Sequence, residues 1–425
     1  MGKNIYKIGD TRKEFEDGVN SEEAERAKYI IEPWLSALCQ SEHLSLLLGN
    51  GFTTGAAVMS NAFSAGMAVD ENELDLNENV MEEARRTAEL AGRGRPNLED
   101  QIRSMITLIK GLEMIDDHRV TDWKTHLNEV IRQLLKDILV TEEGIKNSAS
   151  ENHVEEVLSS FILSFASRTA SRERLNIYTT NYDRLIEYIS DLLGLRLIDR
   201  FVGSLNPIYR SSKLGIDMHY NPPGIRGEPR YLEGVARYTK LHGSIDWKYE
   251  APYLRRYGIP FGASVEHNDI PESPAESVMI YPNPAKDVET LEYPYADLFR
   301  DFATGICQPN SVLITYGYGF GDDHINRVIR DMLTVPSTHL VIISFDDAGG
   351  RITNFIENIG KDTQMTLLIG DHFGNIEDLV KYYLPKPAID YITSRQAQLL
   401  EKRSPDYKEN FENIKNENGG EKENE

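Results

Sequence analysis

The chain has 425 residues, 40% hydrophobic and 27% charged, and its 68 Asp and Glu against 46 Lys and Arg give a formal net charge of −22. At roughly 100–200 residues per domain this length buries more than one core, and the acidic balance argues against a phosphate-neutralising surface, so no direct nucleic-acid binding is expected. Two cysteines, Cys39 and Cys307, far apart and with no CxxC pair, exclude a disulfide framework and a four-thiolate zinc site within one chain.

The first ten residues, MGKNIYKIGD, lack the apolar core of a secretion signal, and Tyr6 stands where a myristoylation pattern requires Ser or Thr. No stretch reaches the roughly 18 uninterrupted apolar residues of a bilayer span. A soluble, cytoplasmic protein with no membrane partner is expected. Residues 1–28 are set apart as an N-terminal segment. Ile30, Ile31, Trp34, Leu35 and Leu38 then recur at helical spacing and lead into the apolar run Leu44 to Leu48, which reads as a buried strand. From Asp70 the composition turns polar, and three helical periodicities follow. They run through Leu98, Ile102, Met105, Ile109 and Leu112; through Trp123, Leu127, Val130, Leu134 and Ile138 after a Thr121 cap; and through Val154, Leu158, Phe161 and Phe165. Residues 70–168 therefore read as a helical insertion.

Strand and helix patterns alternate afterwards, with a strand at 175–180, a helix at 183–193 and strands near 236–241, 278–281, 311–316, 339–345 and 365–369. This alternation predicts an α/β fold, a Rossmann-like doubly wound parallel sheet with helices on both faces. Its two parts would be 29–69 and 169–400, interrupted by the insertion. Two Pro/Gly-rich stretches, 203–234 and 250–276, are long for plain connections. The tail 401–425, with eight acidic and five basic residues, reads as solvated or disordered.

Four segments follow apolar runs and carry Gly, Asn, Asp or His at strand ends, where open parallel sheets place ligand chemistry. Gly49-Asn50-Gly51-Phe52-Thr53 can bring backbone close to a phosphate, or simply form a tight strand-to-helix turn. Its third glycine, Gly55, falls one residue late for the spacing of dinucleotide dehydrogenases, which disfavours hydride transfer. Asn181 and Asp183 alternate along a strand end and can face one cavity, Asn181 holding a water or ribose hydroxyl and Asp183 a carboxamide NH2. A helix cap at Asp183 and a turn at Asn181 are the competing reading. His242-Gly243 places an imidazole at another strand terminus, where it can accept a proton near neutral pH. Gly317, Tyr318, Gly319, Phe320 and Gly321 repeat the glycine pattern, followed by Asp322, Asp323, His324 and Asn326. Acids there repel a pyrophosphate and so cap the helix or bind sugar hydroxyls. Asp346, after HLVIISF, is a candidate for the adenosine ribose or a β-turn acid.

Taken in order, GNGF, TTNYD, LHG and GYGFGDDHI resemble the sirtuin superfamily, and more narrowly the sirtuin-like domains of bacterial anti-phage defence proteins. The resemblance spans about 44–347. It implies NAD as substrate, with Gly49, Asn50, Gly51, Phe52 and Thr53 lining the phosphates and nicotinamide ribose, and Asn181 and Asp183 in the nicotinamide pocket. His242, beside Gly243, takes the catalytic position, and Gly317 through His324 hold the adenosine half. Protein-deacylating members carry a four-cysteine zinc module that two cysteines cannot supply. The expected reaction is hydrolysis of NAD to nicotinamide and ADP-ribose, without a metal, depleting cellular NAD in abortive infection. An NAD- or ADP-ribose-sensing module and an NAD-dependent deacylase are the alternatives. The resemblance also implies a homo-oligomer and a defence partner such as a HerA-type ATPase and DNA translocase.

Overall fold

The computed structural model describes residues 3–16, 22–148, 151–168, 172–212, 217–221, 230–250, 252–280 and 293–386; the tail at 401–425 lies outside them. One compact unit spans Met1–Leu384. Along the chain run β1 (Asn4–Ile8), β2 (Thr11–Phe15), α1 (Glu22–Cys39), β3 (His43–Leu48), α2 (Asn50–Met59), α3 (Asn77–Leu90), α4 (Leu98–Met114), α5 (Val120–Lys146), α6 (Glu151–Ala166), β4 (Asn176–Thr179) and α7 (Leu185–Leu193). There follow β5 (Arg196–Ile198), β6 (Phe201–Val202), β7 (Ile208–Tyr209), β8 (His219–Tyr220), β9 (Arg230–Tyr231), β10 (Val235–Lys240), β11 (Gly243–Glu250), β12 (Tyr253–Arg256), α8 (Pro274–Ser277) and β13 (Val278–Ile280). The last part holds α9 (Tyr295–Ile306), β14 (Ser311–Tyr316), α10 (Asp323–Met332), β15 (His339–Ser344), α11 (Arg351–Ile359), β16 (Met365–Ile369), α12 (Asp371–Gly374) and α13 (Ile376–Tyr382).

Among the described residues, nine strands form the main sheet in the order β2-β1-β16-β15-β14-β3-β4-β10-β5. From β16 to β5 every pairing is parallel, while β1 joins β16 antiparallel and β2 joins β1 the same way, so residues 4–15 extend this sheet. The chain moves outward from β3 through β4 to β10, then returns to the other side of β3 for β14, β15 and β16. That reversal defines a doubly wound Rossmann-like sheet with its switch point at β3.

Largely apolar runs make the central strands β3, β14, β15 and β16, because each is covered on both faces. Leu46 faces a core with Ile177, Ile314 and Phe161, while the next residue, Leu47, faces a second core with Leu313, Ile342 and Phe302. Helix α6 has the period expected of the insertion, yet Leu158, Phe161 and Phe165 pack in the first of these sheet cores, against Phe52 and Tyr316. Truncating Phe161, which is fully buried, to alanine would cost about 3–5 kcal/mol. Helices α3 to α5 own a third core built on Ile102, Met105, Trp123 and Leu134.

The strand expected near 278–281 does not enter the parallel sheet. β13 pairs antiparallel with β11 in a separate five-stranded sheet ordered β13-β11-β12-β7-β6. β11 begins at Gly243, directly after β10 ends at Lys240, and a parallel return needs a long crossover that those few residues cannot supply, so β11 belongs to the second sheet and β13 pairs with it there.

Candidate active site

Register explains how distant segments meet. Ile343 pairs with Tyr316, Tyr316 with Leu48, Leu48 with Thr179 and Thr179 with Lys240, a row that crosses five strands at their C-terminal ends. The residues that follow each of them leave the sheet along one rim, at the switch point. There a cavity of about 340 Å³ opens, lined among others by Gly49, Asn181, Asp183, His242, Gly317 and Asp322. The volume suits a small-molecule ligand.

The two glycine turns interlock backbone to backbone. A Cβ on Gly49 would stand 2.4 Å from Gly317 O, and one on Gly51 would stand 2.6 Å from Gly317 Cα. Gly317 itself has φ +61. The amides of Gly49, Gly51 and Phe52 donate to Tyr316 O, Gly317 O and Gly49 O, each at 3.0 Å. These glycines thus permit close approach of one turn to the other, and three of the amides expected to face a phosphate are already engaged.

Asn181 is held by a directional relay. Its Nδ2 donates to Gly49 O at 3.0 Å and to Thr53 Oγ1 at 2.9 Å; a carbonyl can only accept, so the amide's orientation is determined. Thr53 Oγ1 in turn donates to Asp183 Oδ2 at 2.7 Å, and Asp183 Oδ1 accepts from Leu185 N at 3.1 Å at the start of α7. Each Asp183 oxygen thus accepts one hydrogen bond, while the N-cap of α7 is Arg184 rather than the expected Asp183. Asn181 lines the cavity with both N–H groups committed, which leaves Oδ1 as its acceptor.

His242 is 7% exposed and lines the cavity. Its Nε2 lies 4.0 Å from Asp322 Oδ2, and its ring centroid lies 5.6 Å from that of His324 and 6.4 Å from that of Tyr182. The ligand atoms of His242, Asp322 and His324 all fall within 4.8 Å of one another, a donor set able to hold a divalent cation. This grouping was not legible from spacing, because His242 and His324 sit on segments some eighty residues apart.

Other expected residues spread more widely. Asn50, Thr53, Tyr318 and Gly319 line the cavity. Phe52 lies beneath it in the core, 1% exposed, and Phe320 packs between Tyr318 and Phe355. Gly243 opens β11 with φ +85, and Asp346 is exposed and accepts from Ala348 N at 2.8 Å, the turn contact rather than a place in the cavity wall.

The insertion supplies part of the wall, which sequence reading missed. Tyr182 Oη donates to Glu99 Oε1 at 3.0 Å, and burial, with the Glu99 carboxylate, pushes that phenol well above its ordinary pKa. Glu142 of α5 receives Arg184 N at 2.9 Å and the Arg184 guanidinium, seating α5 against the segment after β4. Burial alone would lower Arg184, but Glu142 more than offsets it and holds it above its usual value. Arg93 and Arg351 also face the cavity. Each has a glycine neighbour, Gly92 and Gly94 with φ +68 and +71, and Gly349 and Gly350 with φ +68 and +86, a turn signal that could have marked them.

No curated protein matches the chain. Residues 175–362 match the SIR2-like domain family, a stretch that takes in Asn181, Asp183, His242 and Gly317 to Asp322 and leaves the Gly49 turn and the helical insertion outside. Over those residues the chain is similar to the sirtuin-like family of NAD-related enzymes.

Proposed function

We propose that the protein is an NAD hydrolase that cleaves the bond between ribose C1′ and the nicotinamide nitrogen. The observation that carries this reading is Asn181, its amide fixed by Gly49 and Thr53 with Oδ1 left to the cavity that His242 also lines. Nicotinamide leaves as a neutral ring with the bonding electron pair, and positive charge spreads over the ribose C1′ and ring oxygen. Water then adds at C1′, held by Asn181 Oδ1, and gives its proton to His242 directly or through a ribose hydroxyl. The products are nicotinamide, ADP-ribose and one proton. Asp322, 4.0 Å from His242 Nε2, favours the imidazolium formed in that step.

The same reading makes the biological effect NAD depletion in anti-phage defence, in a homo-oligomer acting with a partner such as a HerA-type translocase. The test is release of nicotinamide and ADP-ribose from NAD by the full chain, alone and with extract of infected cells. Intact NAD in both would remove the reading. A chelator should leave the rate unchanged; loss restored by zinc would reassign His242, Asp322 and His324 to a metal.

A further inference from the structure

A cavity that takes a dinucleotide must answer its phosphates, and the amides of Gly49, Gly51 and Phe52 are already bonded. The cations come from elsewhere. Arg93, between α3 and α4, and Arg351, the first residue of α11, converge on one glycine. A Cβ on Gly321 would lie 3.7 Å from Arg93 Nη1 and 4.0 Å from Arg351 Nε. Arg93 Nη1 donates to Gly321 O at 2.9 Å and Arg351 Nε to Gly319 O at 2.7 Å, so the turn carbonyls hold both side chains in place.

These guanidiniums carry more N–H groups than the protein answers. Arg93 also pairs with Asp100, but its Nε is buried without a hydrogen-bond partner. Arg351 makes no ion pair among the described residues. Arg103 stands behind them, 3.6 Å from Asp100, with Nε and Nη2 likewise unanswered. Burial, and then the neighbouring Arg93 charge, pull Arg351 below its ordinary pKa, as two like charges in one wall would. Fixed, planar, under-satisfied guanidiniums are the chemistry that grips phosphate oxygens in pairs.

We infer that Arg93 and Arg351 form a phosphate clamp in this cavity, so that the helical insertion takes a direct part in recognising the dinucleotide. The inference rests on the proposed substrate class, since it takes the ligand to be a dinucleotide. The clamped group is either the diphosphate bridge or a 2′-phosphate on the adenosine ribose.

The test titrates the full-length wild type, R351Q and R93Q with ADP-ribose, ADP-ribose 2′-phosphate and nicotinamide by calorimetry, with melting temperatures alongside. R351Q removes no ion pair among the described residues and should fold as the wild type does. Its affinity for the phosphate ligands should fall roughly 10- to 100-fold, with nicotinamide unaffected. An equal loss for both phosphate ligands assigns the diphosphate, and a loss confined to the 2′-phosphate ligand assigns that group. Unchanged affinity for both overturns the clamp. R93Q repeats the measurement from the insertion side, and a lower melting temperature with unweakened binding removes Arg93 from it. A wild type that binds ADP-ribose through these arginines yet leaves NAD intact keeps the clamp and sinks the hydrolase. NAD cleavage with an unaltered KM in both variants does the reverse.

Discussion

The two ends of the parallel sheet use polar side chains in opposite ways. At the N-terminal end they close on one another and on backbone. Arg168 donates to the carbonyls of Cys39, Ser41, Glu42 and Glu173, His43 and Arg237 meet the Glu173 carboxylate, and Trp34 and His339 share Thr366 Oγ1. At the C-terminal end Asn181 and the Arg93–Arg351 pair are held by backbone carbonyls, and they line one cavity together with the buried His242. The difference follows from the strand order, whose reversal at β3 opens a crevice beyond the carboxyl ends of the strands. The N-terminal rim should therefore control stability, and the C-terminal rim chemistry.

The largest expected effect is at the C-terminal rim. His242→Ala and Asn181→Ala should each lower kcat for NAD cleavage by roughly 10²- to 10⁴-fold, with melting temperatures close to wild type. A variant that unfolds early while its folded fraction turns over normally would break the contrast. Arg168→Ala should behave in the opposite way, destabilising the protein by about 2–4 kcal/mol because four carbonyls lose a charged donor, with kcat per folded molecule unchanged. Denaturant melts paired with active-site titration separate the two outcomes. Thr53→Val sharpens the comparison from inside the relay. It removes the hydroxyl between Asn181 and Asp183, and the rate should fall about tenfold through misorientation of Asn181, roughly the worth of one hydrogen bond to a charged group. KM should stay near wild type.

Which parts of this were readable in the sequence depends on how far each residue's environment lies along the chain. Leu44 to Leu48 and the run ending at Tyr316 are apolar without alternation because helices cover both faces, so their strand character and the rim beyond them could be read directly. Asn181 and His242 were found for the same reason: each ends such a run or follows it. Phe52 looked like a pocket residue because it follows Gly51, yet its ring is drawn inward by Phe161 and Tyr316 from helices and strands far away. The glycines at 49, 51 and 317 announced close approach but could not say to what. Arg93 was hidden because its partner turn at Gly321 lies more than two hundred residues away, and the glycines on either side of it mark a turn without saying what that turn meets.

The smallest expected effect tests the N-terminal rim through pH. Burial lowers the pKa of His339 to about 4, so the ring is neutral when folded, with Nε2 at 2.8 Å from Thr366 Oγ1. In the unfolded chain the same imidazole titrates near its ordinary value of about 6.5. Above that value neither state binds the proton and stability is at its full level; as pH falls the unfolded state takes it up first, so stability drops until the folded value is passed. About 1 kcal/mol of this loss should fall between pH 7.5 and 5.5, where the unfolded imidazole passes from mostly neutral to mostly protonated. His339→Gln keeps a hydrogen-bonding group without the titration. Its melting temperature should decline less than wild type over that interval, measured in matched buffers. Equal slopes would mean that the N-terminal rim admits the proton, and with it water, and the division of labour between the two ends would lose its physical basis.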